Sequence, residues 1–277
     1  MAGIFAGTMH ILILVHEHGS FDKPRYFMRE IADVWRERGH RISVMHGPGR
    51  RAIAADVAVL HVDLTVVPAE YLTFLRQYPV VINGRVADIS KRVISRNILA
   101  QADGYDGPVI VKTNRNYGGI MEAQLAVQTK ARGGPGFSCE PKDYAVYRSA
   151  REVPAATWAN PDFVVEKFLA EQRDGCYCLR TWVFMGDRET NSLSWSRQPI
   201  VKSDAVIRRE PVAEVPDELR DMRRSLGFDF GKFDYAIVDG RVILYDANRT
   251  PAVGNFPREQ FMPRIRLLAE GLRAFAS

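Results

Sequence analysis

Between residues 11 and 82, short unbroken apolar runs alternate with amphipathic stretches of helical period, and few folds tolerate that order. Residues 11–15 are apolar at every position, as a strand covered on both faces must be. After a loop with Gly19 and Pro24, Phe27, Ile31, Val34 and Trp35 fall on one helical face, and Gly39 stops that helix. Strands follow at 41–45, 57–62 and 80–82, with a helix at 68–77 before the last. Such alternation predicts an α/β lobe with a doubly wound parallel sheet, helices on both faces, ending near residue 88.

The chain has 277 residues, 46% of them hydrophobic, enough to bury a large core or two smaller ones. Its net charge of +5 comes from Lys and Arg interleaved with Asp and Glu. That pattern fits a solvated surface with some pull on anionic ligands and argues against nucleic acid as a partner. The cysteines are Cys139, Cys176 and Cys178, an odd count without framework spacing, which suits a reducing cytoplasm. The run at 11–15 is too short to cross a bilayer and no basic segment precedes it, so neither a membrane span nor a signal peptide is expected. Met9 reads like a natural start, which would make the residues before it dispensable.

From residue 109 the texture changes. A strand at 109–111 is followed by Gly118-Gly119, a helix over 121–131 and a loop rich in Gly and Pro. Strands are expected at 144–148, 163–168 and 179–184, a helix at 217–226, and a hairpin of 235–238 with 242–245 across Asp239-Gly240. An amphipathic helix at 258–275 closes the chain.

Some motifs tempt and fail. Gly47-Pro-Gly49 resembles a dinucleotide fingerprint, but it follows the second strand and leaves no room for the helix that binds pyrophosphate. The glycines of Gly227 to Lys232 are spaced one short for a Walker loop, and Phe233 stands where Ser or Thr must be. His16 and His18 share a strand face without a third metal ligand in reach, so structural or substrate contacts are expected of them.

Three stretches carry more. In the hairpin, Asp234 and Asp246 become cross-strand neighbours and alternation puts Asn248 on the face of Asp246; two carboxylates and an amide oxygen suit magnesium. An exposed polar hairpin would look the same. Lys112 stands on an otherwise apolar strand, costly unless an anion meets it, and Gly118-Gly119 let backbone amides approach phosphate oxygens. Phe163 to Leu169 reads as a strand turning into a linker whose backbone could meet an adenine edge.

In sequence and order these stretches, with Leu179-Arg180-Thr-Trp-Val-Phe between them, resemble the ATP-grasp superfamily, in particular carboxylate-amine ligases related to ribosomal-protein glutamyl ligases. The resemblance covers about residues 80–277. It implies an N-terminal lobe over residues 1–88, then an ATP-grasp α+β fold of two lobes over 89–165 and 166–277. It implies ATP and one or two magnesium ions as cofactors. Lys112 resembles the lysine on the inner phosphates, Lys91 an earlier lysine of the same pocket, and Gly118-Gly119 the loop closing over the outer phosphates. Glu166, Lys167, Phe168 and Leu169 match the adenine hinge, Arg180 and Arg197 the catalytic cations near the reacting phosphate, and Asp234, Asp246 and Asn248 the metal ligands.

Three departures stand out. Asp246 replaces the usual Glu, the stretch from Lys91 to Lys112 is short, and Cys178 stands where relatives carry a ribose-binding acid, leaving Glu171 or Asp174 for that task. The implied reaction is attack of a substrate carboxylate on the terminal phosphate of ATP, giving an acyl phosphate that an amine or thiol captures. A small-molecule kinase would use the same nucleotide site, and a non-catalytic nucleotide-binding or scaffold protein would keep the fold. The N-terminal lobe, with His16, His18 and the Asn83-Gly84-Arg85 segment, is expected to help recognise an acceptor that these residues leave unnamed.

Overall fold

A computed structural model describes residues 7–22, 25–129, 143–254 and 257–275. The first lobe comprises β1 (His10–Val15), α1 (Phe27–Glu37), β2 (Arg41–His46), β3 (Val57–His61), α2 (Ala69–Leu75) and β4 (Val80–Ile82). Its strands are parallel in the order β2-β1-β3-β4. Alternation along β1 sends Ile11, Ile13 and Val15 into the layer with α1, and Leu12 and Leu14 into the layer with α2. The doubly wound lobe is therefore present.

Next come α3 (Lys91–Ile94), β5 (Val109–Thr113), α4 (Ile120–Gln128), β6 (Val146–Tyr147), α5 (Ala155–Ala159) and β7 (Phe163–Lys167). They form a small antiparallel sheet with β5 in the middle. The strand expected over 144–148 shrinks to β6, because only Val109 and Ile110 offer it partners. The glycine- and proline-rich loop with Cys139 lies outside the described residues.

The last part holds β8 (Glu171–Arg173), β9 (Cys176–Met185), β10 (Arg188–Ser196), β11 (Val206–Pro211), α6 (Asp217–Leu226), β12 (Phe230–Val238), β13 (Arg241–Asn248) and α7 (Arg258–Ala269). The sheet runs β11-β10-β9-β12-β13, with β8 also on β9. The turns Asp174-Gly175 and Asp239-Gly240 have positive φ at both residues, as tight hairpins of this composition require. Gly231 matters on β12: a Cβ there would lie 2.8 Å from the Asn248 carbonyl, so glycine lets the two strands close.

The closing helix ends at Ala269 and continues to residue 275 as a 3-10 turn, shorter than expected. It packs back on the first lobe, where Phe261, Ile265 and Leu268 join the layer of α1 and β1, and Trp35 Nε1 donates to the Ala269 carbonyl at 2.9 Å. Asn83, fully buried, is a second fastener. Its amide nitrogen donates to Phe230 O at 2.8 Å, and its oxygen accepts from the N–H of Asp229 and Phe230. Among the described residues, no helix is long and apolar enough to cross a membrane.

Candidate active site

The large and the small antiparallel sheets face one cleft of about 660 Å³, bordered on the first lobe's side by Tyr26, Phe27 and Asp63. From the large sheet, Leu179, Thr181 and Val183 of β9 turn one face to it, and pairing places Lys232 and Asp234 of β12 beside them. One strand on, Asp246 is the cross-strand partner of Asp234, and Asn248 of Lys232. The small sheet contributes Lys112 from β5 and Glu166 from β7, adjoined by Lys167, Phe168 and Leu169. Lys91 enters from α3. Lys and Arg outnumber Asp and Glu along this lining, so the cleft favours a polyanion.

Each central acid is met by a lysine. Lys91 Nζ lies 2.5 Å from Asp246 Oδ1, Lys112 Nζ 2.6 Å from Glu166 Oε2, and Lys232 Nζ 2.8 Å from Asp234 Oδ2. Thr181 Oγ1 donates to Asp234 Oδ1 at 3.0 Å. Burial alone would raise the Asp246 carboxyl, but Lys91, with Lys232 and Lys202 behind it, holds it below its ordinary value. Among the described residues Lys202 has no such close partner, and burial pushes its ammonium down, against the pull of Asp234 and Asp246. Asp63, at the first lobe's edge of the cleft, accepts from Tyr26 Oη at 2.7 Å and Thr250 Oγ1 at 2.5 Å; burial raises its carboxyl.

Tyr117, Gly118 and Gly119 all have positive φ, so consecutive backbone units curl at the edge of the cleft, where Tyr117 is 53% exposed. The base of this turn is anchored, since Asn116 N donates to Thr65 Oγ1 at 2.8 Å. In the linker, Tyr245 Oη donates to the Leu169 carbonyl, while the N–H groups of Lys167 and Phe168 donate to Asn97 O and Pro108 O.

No family model matches the chain, and no curated protein sequence matches it. Solved structures do. A RimK-domain ATP-grasp protein from Sphaerobacter thermophilus aligns over 97% of this chain and 100% of its own, with a TM-score of 0.52 at 13% identity. The ATP-grasp ligase PsnB, solved with a phosphomimetic variant of its minimal precursor, Mg and ADP, aligns over 96% of this chain and 98% of its own, with a TM-score of 0.58 at 14% identity. This chain has the ATP-grasp fold.

Within the ATP-grasp fold the structure gathers Lys91, Lys112, Glu166 to Leu169, Asp234, Asp246 and Asn248 along one cleft; Tyr117 lines it too, and the Gly118-Gly119 turn that follows is buried and outside the lining. It does not bring Arg180, Arg197 or Asp174 there. Strand alternation turns Arg180 to the opposite face of β9, where its guanidinium is buried and grips Glu171 through Nε at 2.8 Å and Nη2 at 2.9 Å. Burial would raise the Glu171 carboxyl, but Arg180 and the Ile237 N–H outweigh it. Glu171 and Arg180 thus hold β8, β9 and β12 together and are unavailable to ribose or phosphate. Arg197 is exposed beyond β10, and Asp174 occupies a hairpin turn away from the cleft.

Nor does the first lobe present the residues expected of it. Asn83 is spent on β12, and His16 stacks on Tyr71, 5.6 Å between ring centroids, outside the cleft. Lys202, Arg209, Arg264 and Asp63 reach the cleft although no motif marked them, and so does Lys232, to which the hairpin motif gave no role. These lysines and arginines look like ordinary surface cations until strand register and the return of α7 put them along the cleft.

The magnesium implied by the fold fits the donor set. Asp234, Asp246 and Asn248 offer hard oxygen atoms from adjacent strands, and the Asn248 oxygen already accepts from Thr250 N at 2.8 Å, which fixes the amide's orientation. Among the described residues, no group of three or more His, Cys, Asp or Glu side chains could hold an ion. Any cation here would therefore draw on the amide and on oxygen atoms from a ligand.

Proposed function

We propose that the chain is an ATP-dependent ligase that joins a carboxylate to an amine through an acyl phosphate, with magnesium as the metal. The observation that carries this reading is the Asp234–Asp246 pair with Asn248, set on adjacent strands with Lys91 against Asp246 and Lys112 on the small sheet, in a cleft with excess positive charge. The solved relatives named above, described as an ATP-grasp protein and an ATP-grasp ligase, support it.

In this reading Lys112 and Lys91 leave their carboxylate partners to meet nucleotide phosphates, and the turn at Tyr117 to Gly119 offers backbone N–H groups to the outer ones. The segment from Glu166 to Leu169 borders the base. Lys202 and Lys232 neutralise charge that develops on the transferred phosphoryl group, the main demand of phosphoryl transfer. Magnesium, when bound, supplies further charge neutralisation and orientation of the phosphates. A carboxylate oxygen of the substrate attacks the terminal phosphorus, the bond to the bridging oxygen breaks, and ADP leaves. The amine then attacks the acyl carbon and expels phosphate, its proton passing to solvent.

The test is trapping. Incubation of the protein with ATP, magnesium, a panel of carboxylic acids and hydroxylamine should yield a hydroxamate together with an equal amount of ADP. A stable phosphorylated product without hydroxamate would select a kinase. Failure to bind ADP with magnesium in calorimetry would remove the nucleotide site and leave a scaffold.

A further inference from the structure

Four carboxylates line the cleft, those of Asp63, Glu166, Asp234 and Asp246. Glu166, Asp234 and Asp246 each lie against a lysine. Asp63 does not. Among the described residues its side-chain partners are neutral hydroxyls, and no lysine or arginine lies at ion-pair distance. Tyr26 Oη donates to one carboxylate oxygen and Thr250 Oγ1 to the other, so each oxygen keeps a lone pair to spare. The phenol stays a donor, because burial and then the Asp63 charge push its ionisation up.

Three segments converge to build this seat. Asp63 lies just past β3, Tyr26 just before α1 and Thr250 just past β13. A backbone bridge pairs Tyr26 with Ala252, Phe27 N donates to the Pro251 carbonyl at 2.9 Å, and Val253 N to that of Arg25 at 2.8 Å. Arg249 grips the carbonyls on either side of Asp63, those of Val62 and Leu64, and its other bonds also go to backbone oxygen atoms. The carboxylate is thus aimed and held without being matched by contact. Burial raises it, with Thr250, Tyr26 and the Arg249 charge pulling the other way, and a cation in the seat would remove that cost. Phe27, Ala252 and Val253 line the cleft beside these residues and give the seat an apolar wall.

The seat also adjoins the chemistry. Thr250 Oγ1 is 3.3 Å from Asn248 Oδ1, so one hydroxyl separates Asp63 from the amide proposed for magnesium. An oriented, unmatched carboxylate in a cleft otherwise rich in positive charge suits a small cation that has hydrogen atoms to donate. We propose that Asp63 receives the acceptor as a primary ammonium ion and sets its nitrogen beside the activated carboxyl, so that this residue decides which acceptors are taken. This rests on the ligase reading. One proton leaves the ammonium for solvent, the neutral nitrogen attacks the acyl carbon and phosphate departs, while a remaining N–H keeps its bond to Asp63. The ammonium can belong to a free alkylamine or to a lysine side chain, and the probes separate the two.

The full chain, saturated with ADP and magnesium, is titrated with butylamine, pentan-1-ol, butyltrimethylammonium and a capped tripeptide with lysine at its centre, and binding is read by ligand-observed NMR. Butylamine or the tripeptide should bind at least about tenfold more tightly than the alcohol and the trimethylated cation, the scale of one charge-assisted hydrogen bond. The trimethylated cation keeps the charge and lacks the N–H donors. Asp63→Asn should erase the preference while ADP affinity stays unchanged. A nuclear Overhauser contact between butylamine and the Tyr26 ring of the wild type locates the probe even if the variant fails to fold. Tighter binding of the tripeptide identifies a peptide acceptor, and of butylamine a free amine. Equal binding of butylamine and pentan-1-ol overturns the proposal, and so does equal binding of butylamine and the trimethylated cation. A preference that survives in Asp63→Asn, an ADP affinity lost with it, or no contact with Tyr26 also overturns it. If the wild-type protein fails to bind ADP, the ligase reading falls by itself, and the same titrations without nucleotide still decide whether Asp63 seats an ammonium ion.

Discussion

The Arg249 guanidinium, one residue beyond Asn248, donates through Nε to the carbonyl of Val62 at 3.0 Å. It also donates to the carbonyls of Leu64, Thr65 and Val86, and the side chain is fully buried. One side chain thus ties the end of β13 to the loops that leave β3 and β4. Burial lowers the guanidinium to about 10, which leaves it charged at neutral pH.

Arg249→Met should therefore destabilise the protein by about 3 kcal/mol or more, because the carbonyls of Val62, Leu64 and Val86 lose a buried donor at once. Thermal or urea unfolding measures it. A loss under about 0.5 kcal/mol, ordinary for an exposed residue, would mean that water replaces the arginine at this seam.

Asp246→Ala and Asn248→Ala should abolish magnesium-dependent turnover and weaken binding of ADP with magnesium; the fold is retained, with a lower melting temperature in Asp246→Ala because the buried Lys91 loses its partner. Both residues sit at the open edge of the hairpin, and neither belongs to an apolar cluster. Calorimetry with and without magnesium checks it. Unchanged affinity in both variants would sink the metal assignment.

Lys112 and Glu166 need a paired test, since the side chains are 9% and 3% exposed and joined at 2.6 Å. Lys112→Ala strands a buried carboxylate, so both melting temperature and ADP affinity should fall. Adding Glu166→Gln should restore much of the melting temperature and none of the affinity. Recovery of both would show that the lysine serves only the fold.

His61 gives the stability a pH dependence of predictable sign. Its ring is 2% exposed and meets Tyr26 and Phe21 edge-on, and among the described residues neither ring nitrogen has a hydrogen-bond partner. Burial, helped by the charge of Arg249, lowers it from 6.5 to about 3. Between those values the unfolded chain binds the proton and the folded chain does not, so stability drops as pH falls below 6.5. By pH 5 the loss from this group is about 2 kcal/mol, and His61→Phe should flatten that part of the unfolding curve. An unaltered pH slope in the variant would place the proton uptake elsewhere.

In hydrogen exchange, the amides of 117–120 should exchange fast without nucleotide and slow markedly with an ATP analogue and magnesium. Asn116, held by Thr65, and the strand β1 should stay protected throughout. High protection at 117–120 that ignores nucleotide would make the turn a rigid structural corner.

Much of this architecture was legible in the sequence where local pattern and tertiary environment agree. The buried run of β1, the Asp239-Gly240 hairpin and the neighbourhood of Asp234 and Asp246 all follow from periodicity and turn chemistry. β10 was not among the expected strands: Thr190, Asn191, Ser192, Ser194 and Ser196 give it little apolar signal, and pairing with β9 and β11 makes them a strand. Arg180 misled for a related reason. Its motif was right, but which face of β9 it takes depends on register with β12, which spacing along one strand cannot supply. Arg249, Arg209 and Arg264 depend on contacts across the whole chain, and no local pattern distinguishes them from solvated arginines.

The three lysine–carboxylate pairs also bear on the order in which ligands arrive. With Lys91 on Asp246 and Lys232 on Asp234, a bare divalent cation meets two ammonium groups before it meets a free carboxylate. A nucleotide already complexed with its cation offers those ammonium groups phosphate oxygens in exchange, so on the ligase reading the pairs act as a gate on sequence of binding. Free magnesium, calcium or manganese would find little purchase in the resting protein, whose central carboxylates stay matched by ammonium groups until both ligands enter together.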